Sequence, residues 1–363
     1  MEIKLDIVPV KDWLGEFNKP LIISGPCSAE TEEQTLSTAR ELAKNKEVKI
    51  FRAGIWKPRT RPNSFEGVGD MGLSWLRKVK EETGMLTATE VANGEHVDKA
   101  FKYGVDVIWI GARTATNPFS VQEIADSLRG RDIAVMVKNP VNPDLDLWIG
   151  ALERINQAGI KKIVAIHRGF SSFTKGKYRN SPEWKLVIEL KRLLPELPII
   201  SDPSHICGNK EYLKEISQNA IDLDLAGLML ESHINPKEAL SDKNQQLTPA
   251  ELKHMLCELI PRDENANNID FDNKLDLLRN QIDKMDEELL EVLGQRMNIV
   301  REIADYKKKN KVTILQIKRW SEIINKRLSR GEALSLKPDF INIMFQLIHE
   351  ESIIIQTELM NKS

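Results

Sequence analysis

Cysteine is scarce in this chain, with three residues in 363, and their odd number argues against a disulfide framework. We therefore expect a reducing compartment, the cytoplasm. An excess of one charge is also missing, because 52 basic and 54 acidic residues leave a formal net charge of -2. This balance argues against nucleic acid or a membrane surface as the partner. No apolar run approaches the length of a membrane span, and the first residues lack the hydrophobic stretch of a signal peptide.

Short apolar runs recur along the first 256 residues, and amphipathic stretches separate them. The runs are continuous rather than alternating, which is typical of a parallel sheet buried on both faces. Eight repeats of strand and helix predict an α/β fold, a (β/α)8 TIM barrel over residues 1–256. An open doubly wound sheet is the alternative, but no GxGxxG sequence follows the first run. The runs cover residues 20–24, 48–52, 85–89, 105–110, 133–138, 161–166, 197–201 and 223–230.

Four residues that could bind a metal lie just after predicted strands, although more than two hundred residues separate the first from the last. They are Cys27, His205, Glu231 and Asp242. The spacing is too wide for a zinc finger, which takes its ligands in close pairs. A lone cysteine is more often a small buried apolar residue than a ligand, but convergence at one end of a barrel favours a metal site. One thiolate, one imidazole and two carboxylates suit a single Mn, Fe, Co or Zn ion.

Basic residues also gather at the predicted strand ends. Each one alone would most often be a solvated loop charge. Barrel active sites are built at the carboxyl ends of the strands, and six cations in one mouth would repel one another unless anions neutralised them. We therefore expect substrates that carry phosphate and carboxylate groups. The six residues are Arg52, Lys57, Arg59, Arg113, Lys138 and Arg168.

Six segments of this region carry a specific resemblance to a known family. They are GPCSAE (25–30), FRAGIWKPRTRPNSFEG (51–67), IGAR (110–113), HRGFSSF (167–173), SDPSH (201–205) and LESHINPKEALSD (230–242). In these segments the chain resembles 3-deoxy-D-arabino-heptulosonate 7-phosphate (DAHP) synthase of type I beta. The resemblance implies a TIM barrel that condenses phosphoenolpyruvate with erythrose 4-phosphate. It makes Cys27, His205, Glu231 and Asp242 the ligands of one divalent metal ion per barrel.

The same resemblance implies the substrate contacts. Arg59 and Thr60, in the KPRT segment, would hold erythrose 4-phosphate. Lys57 is expected to act in catalysis, and Arg52 lies in the same predicted mouth. The residues expected to bind phosphoenolpyruvate are Lys57, Arg113, Lys138 and Arg168.

A related enzyme offers an alternative substrate. The synthase of 3-deoxy-manno-octulosonate 8-phosphate shares the barrel and the phosphoenolpyruvate site but accepts arabinose 5-phosphate. It typically has a KANRS-like segment at the position of KPRT. The sequence Lys57-Pro58-Arg59-Thr60 therefore favours the enzyme that uses erythrose 4-phosphate.

The chain changes character after residue 256. Residues 257–273 are polar and rich in Asn and Asp, which predicts a linker. Apolar residues then recur at three- and four-residue steps, a pattern typical of a long amphipathic helix of coiled-coil character. Further helices are expected at about 316–330, ended by Gly331, and from Pro338 onward. We therefore predict an all-helical domain over residues 274–363. The recurring residues are Leu275, Leu278, Ile282, Met285, Leu289 and Val292.

Arg296 falls on the apolar seam of the long helix. An arginine is costly there unless an anion meets it or its side chain reaches the edge. Lys307 follows eleven residues later, on nearly the same face. Ser352 and Gln356 share a face of the last helix at i, i+4 spacing. Together with Arg279 and Arg319, these residues resemble chorismate mutase of the all-helical, intertwined-dimer type.

This second resemblance implies conversion of chorismate to prephenate by a homodimer formed through the helical domain. Arg279 would reach into the partner's site and bind the two carboxylates together with Arg296. Lys307 and Gln356 would stabilise the ether oxygen. The remaining substrate contacts would come from Arg319 and Ser352. The reaction is an intramolecular rearrangement, so preorganised charge is sufficient and no nucleophile is required.

Two hypotheses for the whole chain stay open at this point. The first is a bifunctional enzyme of aromatic amino-acid biosynthesis whose synthase is inhibited by prephenate. The second keeps the synthase but makes the helical domain a ligand-sensing and dimerising module. Gln316 and Trp320 keep the second hypothesis open, because the mutase family often has acidic residues there.

Overall fold

The computed structural model describes residues 4–58, 64–172, 176–263, 268–315 and 317–361, without the side chains of residues 317–319. The chain divides into two compact units, Met1–Glu264 and Asn265–Ser363. In the described ranges no helix is both long and apolar enough to cross a membrane.

The first unit is a closed barrel of eight parallel strands in sequential order, with β8 hydrogen-bonded to β1. This confirms the predicted TIM barrel and excludes the open doubly wound sheet. The strands are β1 (Leu21–Gly25), β2 (Val48–Arg52), β3 (Leu86–Val91), β4 (Val107–Ile110), β5 (Ala134–Lys138), β6 (Ile163–His167), β7 (Ile199–Ser201) and β8 (Gly227–Glu231). The helices are α1 (Val10–Leu14), α2 (Glu32–Ala43), α3 (Met71–Thr83), α4 (Gly94–Lys102), α5 (Ala112–Ala115), α6 (Pro118–Leu128), α7 (Leu145–Gln157), α8 (Trp184–Leu193), α9 (Pro203–Cys207), α10 (Leu213–Asp222) and α11 (Pro249–Cys257).

Seven of the predicted runs match a strand to within two residues, and the eighth differs more. That run is predicted to begin at Leu223, but β8 begins at Gly227. Leu223 still caps α10, and Asp224 turns the chain with a left-handed φ of 52°. Gly227 then permits close pairing with β1, because a Cβ there would lie 2.4 Å from the carbonyl oxygen of Leu21.

Alternate strand residues fill the inside of the barrel, and the others pack against the outer helices. In β1, Leu21 and Ile23 belong to the inner cluster and Ile22 to the outer one. Burying each such side chain stabilises the fold by roughly 1.5–3 kcal/mol. Val10 of α1 belongs to the inner cluster, and Trp13 packs against it, so apolar side chains close the N-terminal end of the barrel. The carboxyl ends of the strands are left as the mouth.

Within the described residues, the second unit consists of three helices: α12 (Ile269–Asn310), α13 (Ile317–Ala333) and α14 (Pro338–Asn361). Helix α12 begins inside the stretch predicted as a linker, because the Asn268 side chain accepts hydrogen bonds from the N–H groups of Asp270 and Phe271. It packs along α14, and Val300 and Ala304 are buried.

Gly331 does not end the second helix of this unit, as the sequence had suggested, because α13 continues through it to Ala333. A Cβ at Gly331 would lie 2.6 Å from Cγ1 of Ile341 on α14. Glycine at this position therefore allows α13 and α14 to approach closely, rather than stopping the helix.

Candidate active sites

The four predicted metal ligands lie together at the barrel mouth. Cys27 follows β1, Glu231 ends β8, and Asp242 lies in the loop before α11. Their ligand atoms all lie within 4.8 Å of one another. His205, on the short helix α9 after β7, brings Nε2 to 3.7 Å from Oε1 of Glu231. The closure of β8 against β1 thus brings sequence-distant residues to one place.

Asp202 orients His205 at this site. Its carboxylate accepts a hydrogen bond from the backbone N–H of His205 at 3.1 Å and lies 2.8 Å from Nδ1 of the ring. Lys138 Nζ donates to the same carboxylate at 2.7 Å. Burial opposes ionisation of Asp202, but the interactions with His205 and Lys138 outweigh it and hold its pKa well below the usual range. Burial also lowers the pKa of His205, which favours the neutral imidazole that a metal requires.

The protonation of Cys27 and Asp242 depends on burial and neighbouring charge. Burial, followed by the charge of Glu231, raises the pKa of the Cys27 thiol to about 12. Lys57 Nζ donates to Sγ at 3.0 Å, and Sγ lies 3.2 Å from Oδ2 of Asp242. Burial opposes ionisation of Asp242, but His205 and Arg179 outweigh it and lower its pKa. A thiol buried between carboxylates becomes a thiolate only when further positive charge is supplied, as a metal ion does.

Several of the predicted cations contact this cluster: Lys57 bonds Cys27, Lys138 bonds Asp202, and Arg52 bonds Glu231. Burial lowers the pKa of Arg168 to about 10; Asp202 opposes this shift, and Arg179 and Arg113 add to it. Arg168 follows β6, and its Nη1 donates to Oδ1 of Asn180 at 2.9 Å. Positive groups are therefore concentrated on this side of the mouth, as anionic substrates require. The two predicted aldose contacts, Arg59 and Thr60, lie outside the described residues.

Arg52 is the most buried of the predicted cations that the structure describes, with 1% of its surface exposed. Its Nη1 donates to Oε1 of Glu231 and its Nη2 to the carbonyl oxygen of Cys27, both at 3.0 Å. The guanidinium lies 4.9 Å from the ring centre of Trp109, and Lys138 Nζ lies 5.9 Å from the same ring. Arg52 thus supports two of the candidate metal ligands, and its contact with substrate stays a prediction.

Besides Asp202, which the SDPSH segment contains without an assigned role, five of the described residues beside the site were missed by sequence reasoning. Trp109 lies inside an apolar run, so the sequence marks it only as core. The other four lie in loops, and their one indication is that these loops follow β6 and β8 at the mouth. These loop residues are Arg179, Asn180, Gln245 and Gln246.

In the second unit, Arg296, Ser352 and Gln356 lie together. Arg296 Nη1 on α12 donates to Oγ of Ser352 on α14 at 2.7 Å. Burial, and then Arg327, lowers the pKa of Arg296. Gln356 is buried; its Nε2 donates to the carbonyl oxygen of Ser352 at 3.0 Å, and its Oε1 has no hydrogen-bond partner among the described residues. A bound polar molecule would complete this arrangement.

Lys307 and Arg296 face the same part of α14. Burial lowers the pKa of His349, and Arg296 and Lys307 lower it further. Lys307 Nζ also donates to the carbonyl oxygen of Ile314 at 2.5 Å. His349 stacks on Trp320, with 3.9 Å between ring centres and 14° between planes. An aromatic pair thus occupies one of the two positions that depart from the mutase pattern, and Gln316 lies outside the described residues.

Arg279 is not brought into this group. Its side chain is 65% exposed, and it lies 3.5 Å from Asp276 on its own helix. The predicted role of Arg279 requires a second copy of the chain, so this position in one copy does not test it. The helix position of Arg319 lies in α13, but its side chain is outside the described residues.

A TIM barrel with a cation-lined mouth, followed by helices that carry an arginine against a buried serine and glutamine, defines a two-part enzyme for anionic substrates. The family model "DAHP synthetase I family" matches residues 7–267, and the model "Chorismate mutase type II" matches residues 278–357. The chain belongs to the DAHP synthetase I family and carries a chorismate mutase domain after the barrel.

Similar proteins match about two thirds of the chain. The chain is 34% identical over 255 residues to a phospho-2-dehydro-3-deoxyheptonate aldolase of Thermotoga maritima, covering 70% of this chain and 72% of that protein. It is 27% identical over 274 residues to a 2-dehydro-3-deoxyphosphooctonate aldolase of Wolinella succinogenes, covering 67% and 99%. The crystal structure of a DAHP synthase from Thermotoga maritima matches with a TM-score of 0.59 at 33% identity, covering 65% of this chain and 67% of that one. The chain is thus a bifunctional shikimate-pathway enzyme, with DAHP synthase and chorismate mutase domains.

Proposed function

We propose that the barrel condenses phosphoenolpyruvate with erythrose 4-phosphate beside one divalent metal ion held by Cys27, His205, Glu231 and Asp242. The observation that carries this proposal is the convergence of these side chains from β1, α9, β8 and the following loop. Such a set of donors suits Mn, Fe, Co or Zn. A cytoplasmic location belongs to the same proposal, because a reducing compartment keeps Cys27 as a thiol.

Two observations support the fit of a metal ion to these residues. The Asp202 carboxylate engages Nδ1 of His205, so Nε2 is left for a ligand, as is common at metal-binding imidazoles. Burial beside carboxylates raises the pKa of the Cys27 thiol to about 12, and a divalent ion would offset that negative surrounding. When bound, the metal supplies Lewis acidity toward the aldehyde oxygen.

The cations of the mouth hold the two substrates for reaction. The methylene carbon of phosphoenolpyruvate attacks the aldehyde carbon of erythrose 4-phosphate and forms the new C–C bond. Water adds to the adjacent carbon, and phosphate leaves from the resulting hemiketal phosphate. Holding two mutually repelling anions together supplies much of the rate. In this proposal Arg59 and Thr60 hold erythrose 4-phosphate. Phosphoenolpyruvate is held by Lys57, Arg113, Lys138 and Arg168, and Arg52 also contributes to substrate binding.

Phosphate release by the purified chain tests this proposal. The chain is stripped of metal with a chelator and then reloaded with each candidate ion, with erythrose 4-phosphate or arabinose 5-phosphate as the aldose. We expect turnover of erythrose 4-phosphate only in reloaded protein. Full activity in stripped protein would overturn the role of the metal. Preferential use of arabinose 5-phosphate would instead establish the activity of the octulosonate synthase.

We further propose that the helical unit rearranges chorismate to prephenate. Arg296 and an Arg279 from a second copy bind the carboxylates, and Lys307 and Gln356 stabilise the ether oxygen. Arg319 and Ser352 make further substrate contacts. The hydrogen bond from Arg296 to Ser352 supports this assignment, and so does Oε1 of Gln356, for which the described part of the chain offers no hydrogen-bond partner.

Loss of chorismate absorbance in matched variants tests the mutase assignment. Arg296→Ala should lower kcat/KM by about 30-fold or more, because truncating one partner of a desolvated charge pair costs about 2–5 kcal/mol. Arg301→Ala is the control, since Arg301 lies on the same helix and bonds Asn298. No mutase activity in the wild-type chain would leave the sensing module as the role of the helical unit.

A homodimer through the helical unit is part of the same proposal. The first half of α12 carries apolar side chains at heptad spacing that are 44–65% exposed, namely Leu278, Ile282, Met285 and Leu289. A second copy of α12 supplies a matching apolar surface for them. We take residues 1–256 as the synthase, 257–273 as the linker and 274–363 as the mutase, with prephenate as a feedback inhibitor of the synthase.

A further inference from the structure

Two pairs of consecutive loop residues, Arg179–Asn180 and Gln245–Gln246, form hydrogen bonds with the candidate metal ligands. Each member of the two pairs bonds a different ligand residue. Arg179 Nη1 donates to Oδ1 of Asp242 at 2.8 Å, and Asn180 Nδ2 donates to the carbonyl oxygen of His205 at 2.6 Å. Gln245 Nε2 donates to Oε2 of Glu231 at 2.8 Å, and the N–H of Cys27 donates to Oε1 of Gln246 at 2.9 Å.

We propose that Arg179, Asn180, Gln245 and Gln246 form a positioning layer that holds the metal ligands and ties them to the phosphoenolpyruvate site. This inference rests on the proposed function of the barrel, and it assigns roles to residues that the reaction scheme leaves unused. None of the four is placed on the metal or on a reacting atom, so they are positioning residues.

The layer is one connected network rather than four separate contacts. Arg179 Nη1 also donates to Oε1 of Gln245 at 3.1 Å, which joins the loop after β6 to the loop after β8. Gln246 Nε2 donates to the carbonyl oxygen of Ser241 at 2.8 Å, next to Asp242. Gln245 and Gln246 are 1% and 0% exposed. Buried, hydrogen-bonded amides have few alternative positions, so they fix the groups that they contact.

The hydrogen bond from Arg179 determines which carboxylate oxygen of Asp242 faces the candidate metal site. Asp242 has a left-handed φ of 47°, which a non-glycine residue keeps only when its surroundings hold it. Arg179 engages Oδ1, and Oδ2 is left 3.2 Å from Sγ of Cys27. Gly208 makes room for this arginine, because a Cβ there would lie 2.7 Å from Cβ of Arg179.

Asn180 links the metal ligands to the phosphoenolpyruvate cations. Its Nδ2 bonds His205, while its Oδ1 accepts from Nη1 of Arg168 at 2.9 Å. The backbone N–H of Asn180 donates to the carbonyl oxygen of Ile206 at 3.0 Å, so the amide is anchored against α9. One side chain thus sets the position of a metal ligand and of an arginine proposed to bind phosphate.

The test measures binding in the full-length chain, so that it does not depend on turnover. Metal-free protein is titrated with Mn²⁺, and free Mn²⁺ is followed by electron paramagnetic resonance. Phosphoenolpyruvate binding is measured by equilibrium dialysis at saturating Mn²⁺. The variants are Gln245→Met, Arg179→Met, Arg179→Lys and Asn180→Leu. Arg192→Met is the control, because Arg192 lies on α8 and pairs with Glu189.

We expect Gln245→Met and Arg179→Met to weaken Mn²⁺ binding by about 10- to 100-fold, as is usual for outer contacts of metal ligands. Gln245→Met should leave phosphoenolpyruvate binding within about two-fold of wild type, whereas Asn180→Leu should weaken both ligands by about ten-fold or more. Arg179→Lys should restore part of the Mn²⁺ affinity, and Arg192→Met should bind both ligands as wild type does.

Three results would overturn the inference. If folded Gln245→Met and Arg179→Met bind Mn²⁺ as tightly as wild type, these residues do not position the metal ligands. If Asn180→Leu weakens the binding of only one of the two ligands, the proposed link between the metal ligands and the phosphoenolpyruvate site is wrong. A wild-type chain that binds no Mn²⁺ overturns the proposed metal function itself, before any variant is compared. Circular dichroism establishes which variants fold. If Asn180→Leu does not fold, the Mn²⁺ affinities of Gln245→Met and Arg179→Lys still test the positioning layer.

Discussion

Among the candidate metal ligands, Cys27 differs from the others in its protonation. Burial, followed by Glu231, raises its pKa to about 12, whereas burial lowers the pKa of His205. At neutral pH the imidazole is therefore ready to bind a metal, and the thiol must first lose its proton. Surrounding side chains, and not residue type alone, thus determine how each ligand depends on pH.

We predict that metal binding releases one proton per ion, which comes from Cys27. Below pH 12 the apparent affinity should then rise by up to about tenfold per pH unit. Calorimetric titration of metal-free protein with Mn²⁺, in buffers of different ionisation enthalpy, counts the protons. The Cys27→Ser variant should bind Mn²⁺ more weakly and release none. Equal proton release by the variant would contradict thiolate ligation.

His167, the last residue of β6, should make the stability of the barrel depend on pH. Burial lowers its pKa to about 4, and its Nε2 lies 2.6 Å from the carbonyl oxygen of Pro182. The unfolded chain binds this proton near pH 6.5 and the folded chain does not. The contribution to stability is therefore fully present above about pH 6.5, and stability falls by roughly 3 kcal/mol as the pH drops from about 6.5 to about 4.

Urea unfolding at pH 4.5 and pH 7.5 measures this contribution. The difference in free energy of unfolding between the two pH values should be smaller in His167→Gln than in wild type. The same difference in both proteins would show that His167 does not contribute. Carboxylates that titrate in this range affect wild type and variant alike, so the comparison isolates the histidine.

Among the helices, α12 has two regions with different surroundings. Val300 and Ala304 are buried, whereas Leu278 and Ile282 are 44% and 56% exposed. Arg279 lies in the exposed region, and Arg296 bonds Ser352 on α14. A helix that presents its apolar face over this length is stabilised by packing against another helix.

We predict that Arg279→Ala and Arg296→Ala chains complement one another in mutase activity. Each variant alone should be nearly inactive. If one site draws Arg279 from one copy and Arg296 from the other, a hybrid dimer contains one intact site, and random mixing gives about one quarter of wild-type activity. Co-expression with two affinity tags isolates the hybrid for assay. Inactive hybrids would contradict a site shared between copies.

The close approach of α13 and α14 gives a second prediction at this scale. Gly331→Ala places Cβ 2.6 Å from Cγ1 of Ile341, so it should destabilise the helical unit by about 1–3 kcal/mol. Gly294→Ala on α12 is the control, since no described atom apart from its own stretch of helix lies within 4 Å of the added Cβ. That variant should be stabilised by about 0.5–1 kcal/mol through helix propensity. Thermal unfolding of the two variants is monitored by circular dichroism. Equal stability of Gly331→Ala and Gly294→Ala would rule out crowding at Gly331.

According to the proposed function, one chain catalyses both the condensation that forms DAHP and the rearrangement of chorismate to prephenate. We predict that prephenate inhibits the synthase of the full chain, and that Arg296→Ala relieves this inhibition without lowering synthase activity in its absence. A differential affinity of about 1–3 kcal/mol between two arrangements of the chain is enough for useful control. Phosphate release with and without prephenate measures the effect. Equal inhibition of wild type and variant would locate the effector site away from Arg296.

Local sequence patterns were enough to predict the barrel, because continuous apolar runs separated by amphipathic stretches have few other ways to bury their surface. They also predicted that the four candidate metal ligands come to the mouth, since every parallel strand delivers its carboxyl end to the same side. The strand boundary at Gly227 and the helix through Gly331 could not be predicted in this way. Both depend on a neighbour that is distant in sequence, Leu21 in one case and Ile341 in the other.

Three-dimensional packing was needed for the contacts that surround the candidate site. Trp109 is an ordinary strand residue by sequence, yet its ring lies beside the charged groups of Arg52 and Lys138. Gln246 bonds Cys27 across 219 residues, and Asn180 bonds both Arg168 and His205. Hydrogen bonds and ring contacts form over a few ångströms and depend on direction, so a pattern along the chain can indicate where a strand ends but not which side chains then meet.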